Sequence, residues 1–268
     1  RRPAMSSTNA SRLLQLASQP VDSENSSKNE ERARDVRYHL SELEVPIDVR
    51  DKRYATPLLR ACEAHNDQMV NLLMTKKADV EAQDNMGRNA VHYVIHGIRK
   101  RQEIVKSARK IIFQMLPSAL LQNPDVQGMT PLMLVTIYFP LESKEMIAQR
   151  NQQGDDVKNA EDDPARGIRQ FDSDMRMLLK DLIAAGGNPL QCNEMGDNAL
   201  TLAQSASGHV LKSFLKAWTE VLGDVKQLKD LLQHANETRA KGGSENDDPA
   251  VSAAMHGQAY HLDTKQTS

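Results

Sequence analysis

The stretch DNMGRNAVHYV, Asp84 to Val94, decides how this chain is read. An acid, a glycine three residues on, a polar residue, an alanine and an apolar residue describe a turn entering a helix. The same phrase holds His92, and His96 follows four positions later on the same helix face. The phrase is therefore either a structural signature or the setting of a reactive histidine.

Recurrence separates the two readings. Three other stretches repeat the phrase: DKRYATPLLRAC from Asp51, DVQGMTPLMLVT from Asp125 and NEMGDNALTLAQ from Asn193. Each begins with Asp or Asn. The fourth column holds Tyr54, Gly87, Gly128 and Gly196, as a turn position with positive φ requires. Tyr54 breaks that column, which predicts a strained or differently shaped first hairpin. The next columns read Thr56-Pro57-Leu58, Asn89-Ala90-Val91, Thr130-Pro131-Leu132 and Asn198-Ala199-Leu200. Thr and Asn oxygens cap a helix, Pro or Ala suits its first turn, and the apolar residue starts its buried face.

Thr56 and Asn89 stand 33 residues apart. Asn89 to Thr130 is 41 and Thr130 to Asn198 is 68, so the later units carry insertions. On these residues the sequence resembles the ankyrin repeat family over roughly residues 30–222. The family's turn, T-P-L-H helix start, Gly-His, L-L and G-A-D are matched most fully by Thr56-Pro57-Leu58-Leu59, Met69-Val70, Leu72-Leu73 and Ala78-Asp79-Val80. Gly208-His209 keeps the Gly-His pair, and Leu182-Ile183 with Gly186-Gly187-Asn188-Pro189 closes the third unit. The resemblance implies an all-α ankyrin-repeat solenoid of stacked helix-turn-helix units with hairpin-like turns, about five units with degenerate caps included.

The organisation expected around those units is a flexible leader over residues 1–27, with a short helix over Ser11–Ala17. The repeat domain runs over 28–236 and begins with a capping unit whose helix spans Asn29–Leu43. Helical periodicity predicts Arg101–Met115, where Ile104, Val105, Ala108, Ile111, Ile112 and Met115 share one face. Further helices are expected over Thr130–Tyr138, Asp174–Ala185, Lys212–Leu222 and Asp224–His234. A polar insertion at about 141–173 and a small-residue-rich tail at 237–268 read as disordered.

Composition narrows the function. A formal charge of −2 offers no global attraction for nucleic acid or anionic membrane. No apolar run reaches a membrane span, and no signal-peptide pattern opens the chain, so an intracellular, cytoplasmic or nuclear protein without membrane insertion is expected. Cys62 and Cys192 imply no disulfide framework. There is no phosphate-binding glycine loop, G-x-S-x-G or Cys-x-x-Cys, and His92 and His96 lack a third metal ligand in pattern. The family places its helix-start histidine between repeats as a structural residue, and its Cys62 position as a small buried one. The expectation is no enzyme, no cofactor, no metal and a protein monomeric by itself.

The family implies that function lies on the concave side, at hairpin tips and inner helices. The tip residues are then Lys52, Arg53, Asn85, Met86, Arg88, Gln127, Met129, Glu194, Met195 and Asp197. The exposed inner-helix positions are Glu63, His96, Tyr138 and Ser205. Charge runs from basic to acidic along this set, and Met86, Met129 and Met195 stand as adaptable apolar contacts at successive tips. These features suit a protein or peptide partner. Arg99, Lys100, Arg101, Lys106, Arg109 and Lys110 form a possible basic docking patch, although with few aromatic neighbours for single-stranded nucleic acid. The alternatives are a target-recruiting ankyrin domain of a larger enzyme or pathogen effector, and a nucleic-acid-associated regulator using that patch.

Overall fold

The structure is a computed structural model that describes residues 7–22, 24–100, 105–115, 119–139, 164–206, 208–223, 230 and 233. Among them every regular element is a helix and none is a strand. The chain divides into two compact units, Arg1–Val126 and Gln127–Ser268.

The first unit contains α1 (Ser7–Ala17), α2 (Ser26–Ser41), α3 (Pro57–Glu63), α4 (Asp67–Thr75), α5 (Ala90–Lys100), α6 (Val105–Met115) and α7 (Ala119–Gln122). The inner helices α1, α3 and α5 pack in succession, and α2, α4 and α6 lie outside them. Helix α3 shows why the sequence folds this way. Thr56 Oγ1 accepts from the Leu59 amide at 3.3 Å, and Pro57 occupies the first turn, where its missing donor costs nothing. Leu58, Leu59, Ala61 and Cys62 are all fully buried, because this short helix is enclosed by α1, α4 and α5. The helix stops at Ala64, His65 takes a left-handed φ of 53°, and Asn66 caps α4 by accepting from the Met69 amide at 2.9 Å.

The second unit contains α8 (Pro131–Tyr138), α9 (Pro164–Ala184), α10 (Ala199–Ala206) and α11 (Gly208–Leu222). Helices α8 and α10 pair as inner helices, and α9 and α11 pack behind them. Its core centres on Phe214 and Trp218, both fully buried, with ring centroids 6.0 Å apart at 78°. Helix α9 closes with Gly186 at φ 101° and the Gly187 amide donating to the Leu182 carbonyl at 2.9 Å. Helix α4 closes the same way, with Lys77 at φ 66° and Ala78 donating to Leu73 at 3.0 Å.

Several boundaries differ from the sequence reading. Helix α1 begins at Ser7 rather than Ser11, and α2 spans Ser26–Ser41 because Asn25 caps it through the Lys28 amide. Helix α9 begins at Pro164, ten residues before Asp174, so the expected insertion is shorter on that side. Part of the surplus in the second repeat lengthens α5 to Lys100. Helix α11 starts at Gly208, not Lys212, and α7 is a four-residue helix that the sequence pattern does not mark. The expected leader over 1–6, Ile104, most of the insertion, the Asp224–His234 helix apart from two residues, and the 237–268 tail lie outside the described residues.

Candidate functional site: hairpin tips and inner helices

Three hairpins share one set of hydrogen bonds, built on the first-column Asp or Asn. Asp51 Oδ1 accepts from the amides of Arg53 and Ala55 at 2.7 and 3.0 Å. Asp84 Oδ1 accepts from Met86 and Arg88 at 2.8 and 2.9 Å. Asn193 Oδ1 accepts from Met195 and Asp197, both at 2.9 Å. The amides of Tyr54, Gly87 and Gly196 then donate back to the first-column carbonyls at 2.9, 3.1 and 3.0 Å. An amide oxygen serves as well as a carboxylate oxygen here, which explains why Asp and Asn interchange.

Tyr54 takes φ 62° beside 72°, 75° and 81° at Gly87, Gly128 and Gly196. The first hairpin therefore has the shape of the others and carries its strain in the backbone of one residue, at about 1–2 kcal/mol. Neighbouring tips are joined by single hydrogen bonds. In the first unit Asn85 donates to the Arg53 carbonyl at 3.0 Å and Val126 to the Met86 carbonyl at 2.9 Å. In the second, Glu194 donates to Gln127 at 3.4 Å.

This geometry sorts the predicted tip residues. The second and third columns point outward: Lys52, Arg53, Asn85, Met86, Gln127, Glu194 and Met195 are exposed, Met195 to 80%. The column after the left-handed residue turns back, since its carbonyl accepts from the first-column amide, as in Arg88 to Asp84 at 3.1 Å. Ala55 is buried there, and Arg88 and Asp197 are partly covered. Met129 belongs to this inward column and is only 8% exposed, with the Asn193 side-chain amide 3.4 Å from its sulfur. The three methionines are thus not equivalent, and Gln127 holds the position aligned with Met86 and Met195. A slip of one residue affects the inner helices. Seven residues beyond each cap stand Glu63, His96, Ile137 and Ser205. Ile137 is 45% exposed, whereas Tyr138 is the last residue of α8 and half-buried.

Beneath the first unit's tips, the charges are paired inward. The Arg60 guanidinium bonds Asp51, through Nε at 2.8 Å and through Nη2, and its Nη1 bonds Glu63 at 2.9 Å. Arg88 forks onto Asp84 Oδ2 at 2.8 and 2.6 Å, and the Tyr93 hydroxyl donates to the same oxygen at 2.9 Å. Both guanidinium carbons lie against the Tyr93 ring, 5.7 and 5.5 Å from its centroid. Burial works against the charge of Asp51 and Asp84, but the arginines and tip amides hold both carboxyls below the usual range. Burial, then the bond to Asp84, pushes the Tyr93 phenol up, so it stays protonated.

The histidine of the deciding stretch is structural. His92 is fully buried, and its Nδ1 lies 2.8 Å from the side-chain oxygen of Asn89, the cap whose oxygen also accepts from the Val91 and His92 amides. Thr201 holds the equivalent place in the fourth unit and reciprocates its own cap, Asn198. Among the described residues no group of three His, Cys, Asp or Glu is placed to hold a metal. Cys62 is buried, and burial pushes its thiol pKa well up; Cys192 is partly exposed. Of the basic patch, Lys106 is exposed and Lys110 bonds Asp67 at 2.5 Å; the side chains of Arg99, Lys100 and Arg101 lie outside the described residues.

Inner helices, outer helices and hydrogen-bonded hairpin tips define a helical repeat protein. The Ankyrin repeat family model matches residues 54–85, so the chain carries an ankyrin repeat over α3, α4 and the hairpin arm that follows. Ankyrin repeats are protein-binding modules as a class, and none of the described helices is long and apolar enough to cross a membrane. No curated protein matches the chain.

Proposed function

We propose that the chain is a non-catalytic module that receives a partner protein or peptide on its hairpin tips and inner helices. The observation that supports this is the division of labour in each tip. First-column side chains satisfy the turn's own amides, while Lys52, Arg53, Asn85, Met86, Glu194 and Met195 make no such bonds with their side chains among the described residues and face outward. A backbone fixed in this way presents its outward residues with little ordering cost on binding. Glu63 and His96 extend the first unit's surface along its inner helices, and Ile137 and Ser205 extend the second unit's along its own.

The test is capture of binding proteins from extract by the whole chain, compared with Tyr54→Ala combined with Met86→Ala. A control, Phe113→Ser, removes an exposed apolar side chain from outer helix α6. Loss of captured proteins in the tip variant alone supports the reading; an unchanged set sinks it. A recruiting domain of a larger enzyme would use the same surface, and differs only in what is attached to it. Binding through the basic patch is disfavoured by the existing Lys110 to Asp67 pair, and would be revealed by steep salt dependence of nucleic-acid affinity.

A further inference from the structure

The first unit's tips carry a chemical bias that narrows the partner. Tyr54, Met86 and Val126 sit on three consecutive tips and are 60%, 36% and 51% exposed. Single exposed apolar residues need no explanation, but a row of them on linked tips does. Val126 donates to the Met86 carbonyl at 2.9 Å, and a Cβ at Gly87 would lie 3.5 Å from Val126 Cγ1, so Val126 and the Met86 tip adjoin. The tyrosine is placed at a backbone angle where the other three hairpins use glycine, so its side chain is kept against a conformational cost.

Beside the first tip of this row, the charge left without an ion pair among the described residues is positive. The carboxylates of the first two tips are committed inward, Asp51 to Arg60 and Asp84 to Arg88. Lys52 and Arg53 are exposed and have no ion-pair partner among the described residues. Arg50 is exposed too, and its Nη1 donates to the carbonyls of Tyr54 and Gln83 at 2.8 and 2.6 Å, which fixes the guanidinium without neutralising it. Arg50 and Lys52 border an open cavity of about 1000 Å³, faced by Ser11 and Gln15 of α1 and by Ser18 after it; Asp51 and Glu63 line it too, both bonded to Arg60.

We infer that the first unit binds an acidic segment of a partner protein, with a carboxylate in the cavity against Arg50 and Lys52 and an adjoining apolar side chain on the Tyr54–Met86–Val126 row. This rests on the protein-binding reading and specifies its partner. Fixed cations select and steer an acidic segment, and the apolar row supplies the buried contact. Arg53 extends the cationic edge outward and widens the electrostatic capture.

The experiment pans the immobilised whole chain against short random peptides and then titrates the selected ones by fluorescence anisotropy. The expected sequences place Asp or Glu beside an aromatic or aliphatic residue. Their affinity should fall about tenfold or more in Lys52→Glu with Arg53→Glu, about fivefold in Met86→Asp, and stay unchanged in Lys106→Glu on α6. Lys52→Arg with Arg53→Lys should retain binding, which separates charge from disturbed folding. Basic or uncharged peptides, or acidic ones indifferent to the charge reversal, overturn this inference while leaving a protein-binding module in place. Enrichment of no peptide at all contradicts both readings.

Discussion

Gly97→Ala sets helix propensity against packing. Gly97 lies inside α5, where alanine alone should be favoured by about 1 kcal/mol. A Cβ there would stand 2.4 Å from the Glu63 carbonyl oxygen and 2.4 Å from His65 Nε2. Relief demands that α3 and α5 separate by about 1 Å and that the buried His65 ring shift, at the loss of its 2.7 Å bond to the Val94 carbonyl; moving the ring alone would leave the Glu63 carbonyl in place. Overpacking of this kind costs about 1–3 kcal/mol, and the lost hydrogen bond about 1 more. The net expectation is a loss of about 1–3 kcal/mol. Urea unfolding followed by far-UV circular dichroism reads it as a midpoint lower by roughly 0.5–1.5 M, with m near 2 kcal/mol/M. Gly208→Ala is the internal control: among the described residues a Cβ at that helix start meets nothing within 4 Å, so stability should hold or rise slightly. If Gly97→Ala is as stable as the parent, the close approach of α3 and α5 is wrong.

Asp84→Asn should keep the turn, as Asn193 does, but lose the pairing with Arg88, costing about 1–3 kcal/mol at pH 7. Because the Asp84 carboxyl titrates lower when folded, its contribution is complete above the unfolded value of about 3.9 and is lost as pH falls through the folded one. The variant's acid limb in urea midpoint against pH should therefore be shallower than the parent's, and an identical limb would count against the pair. Tyr54→Gly removes left-handed strain of about 1–2 kcal/mol and adds about 0.5–1 kcal/mol of unfolded-chain entropy, so stability should hold or rise while peptide binding weakens. A stability loss beyond about 1 kcal/mol would make the side chain structural rather than available. Thiol labelling of the folded chain should modify Cys192 well before Cys62, whose buried thiol pKa is raised; the reverse order would contradict the α3 packing.

The repeat phrase was legible because its columns answer to backbone chemistry: cap oxygens, a proline at the helix start, and an Asp or Asn that binds its own turn. His92 could be set aside for the same reason, since its column serves the cap. Met129 lies two columns beyond the outward position, which Gln127 fills, and Tyr138 one residue beyond Ile137. The second and third tip positions face outward and the fifth turns back, and only the carbonyl turned back onto the first-column amide reveals which is which. A strict column count from Thr130 would have found Ile137. Tyr54 was legible as an exception but not as a conforming one, because sequence shows the steric cost of left-handed φ and not whether the chain accepts it. The cluster of partly covered Arg60 and Arg88 on buried Tyr93 carried no local signal. It joins residues from two inner helices and two tips.

Photo-cross-linking tests the central claim most directly. A benzoylphenylalanine in place of Met86 on the tip, or of Phe113 on the outer helix, is irradiated in the whole chain with a captured partner. Adducts from position 86 and none from position 113 are the predicted result. Adducts from 113 alone would put the binding face on the outer helices and contradict the account.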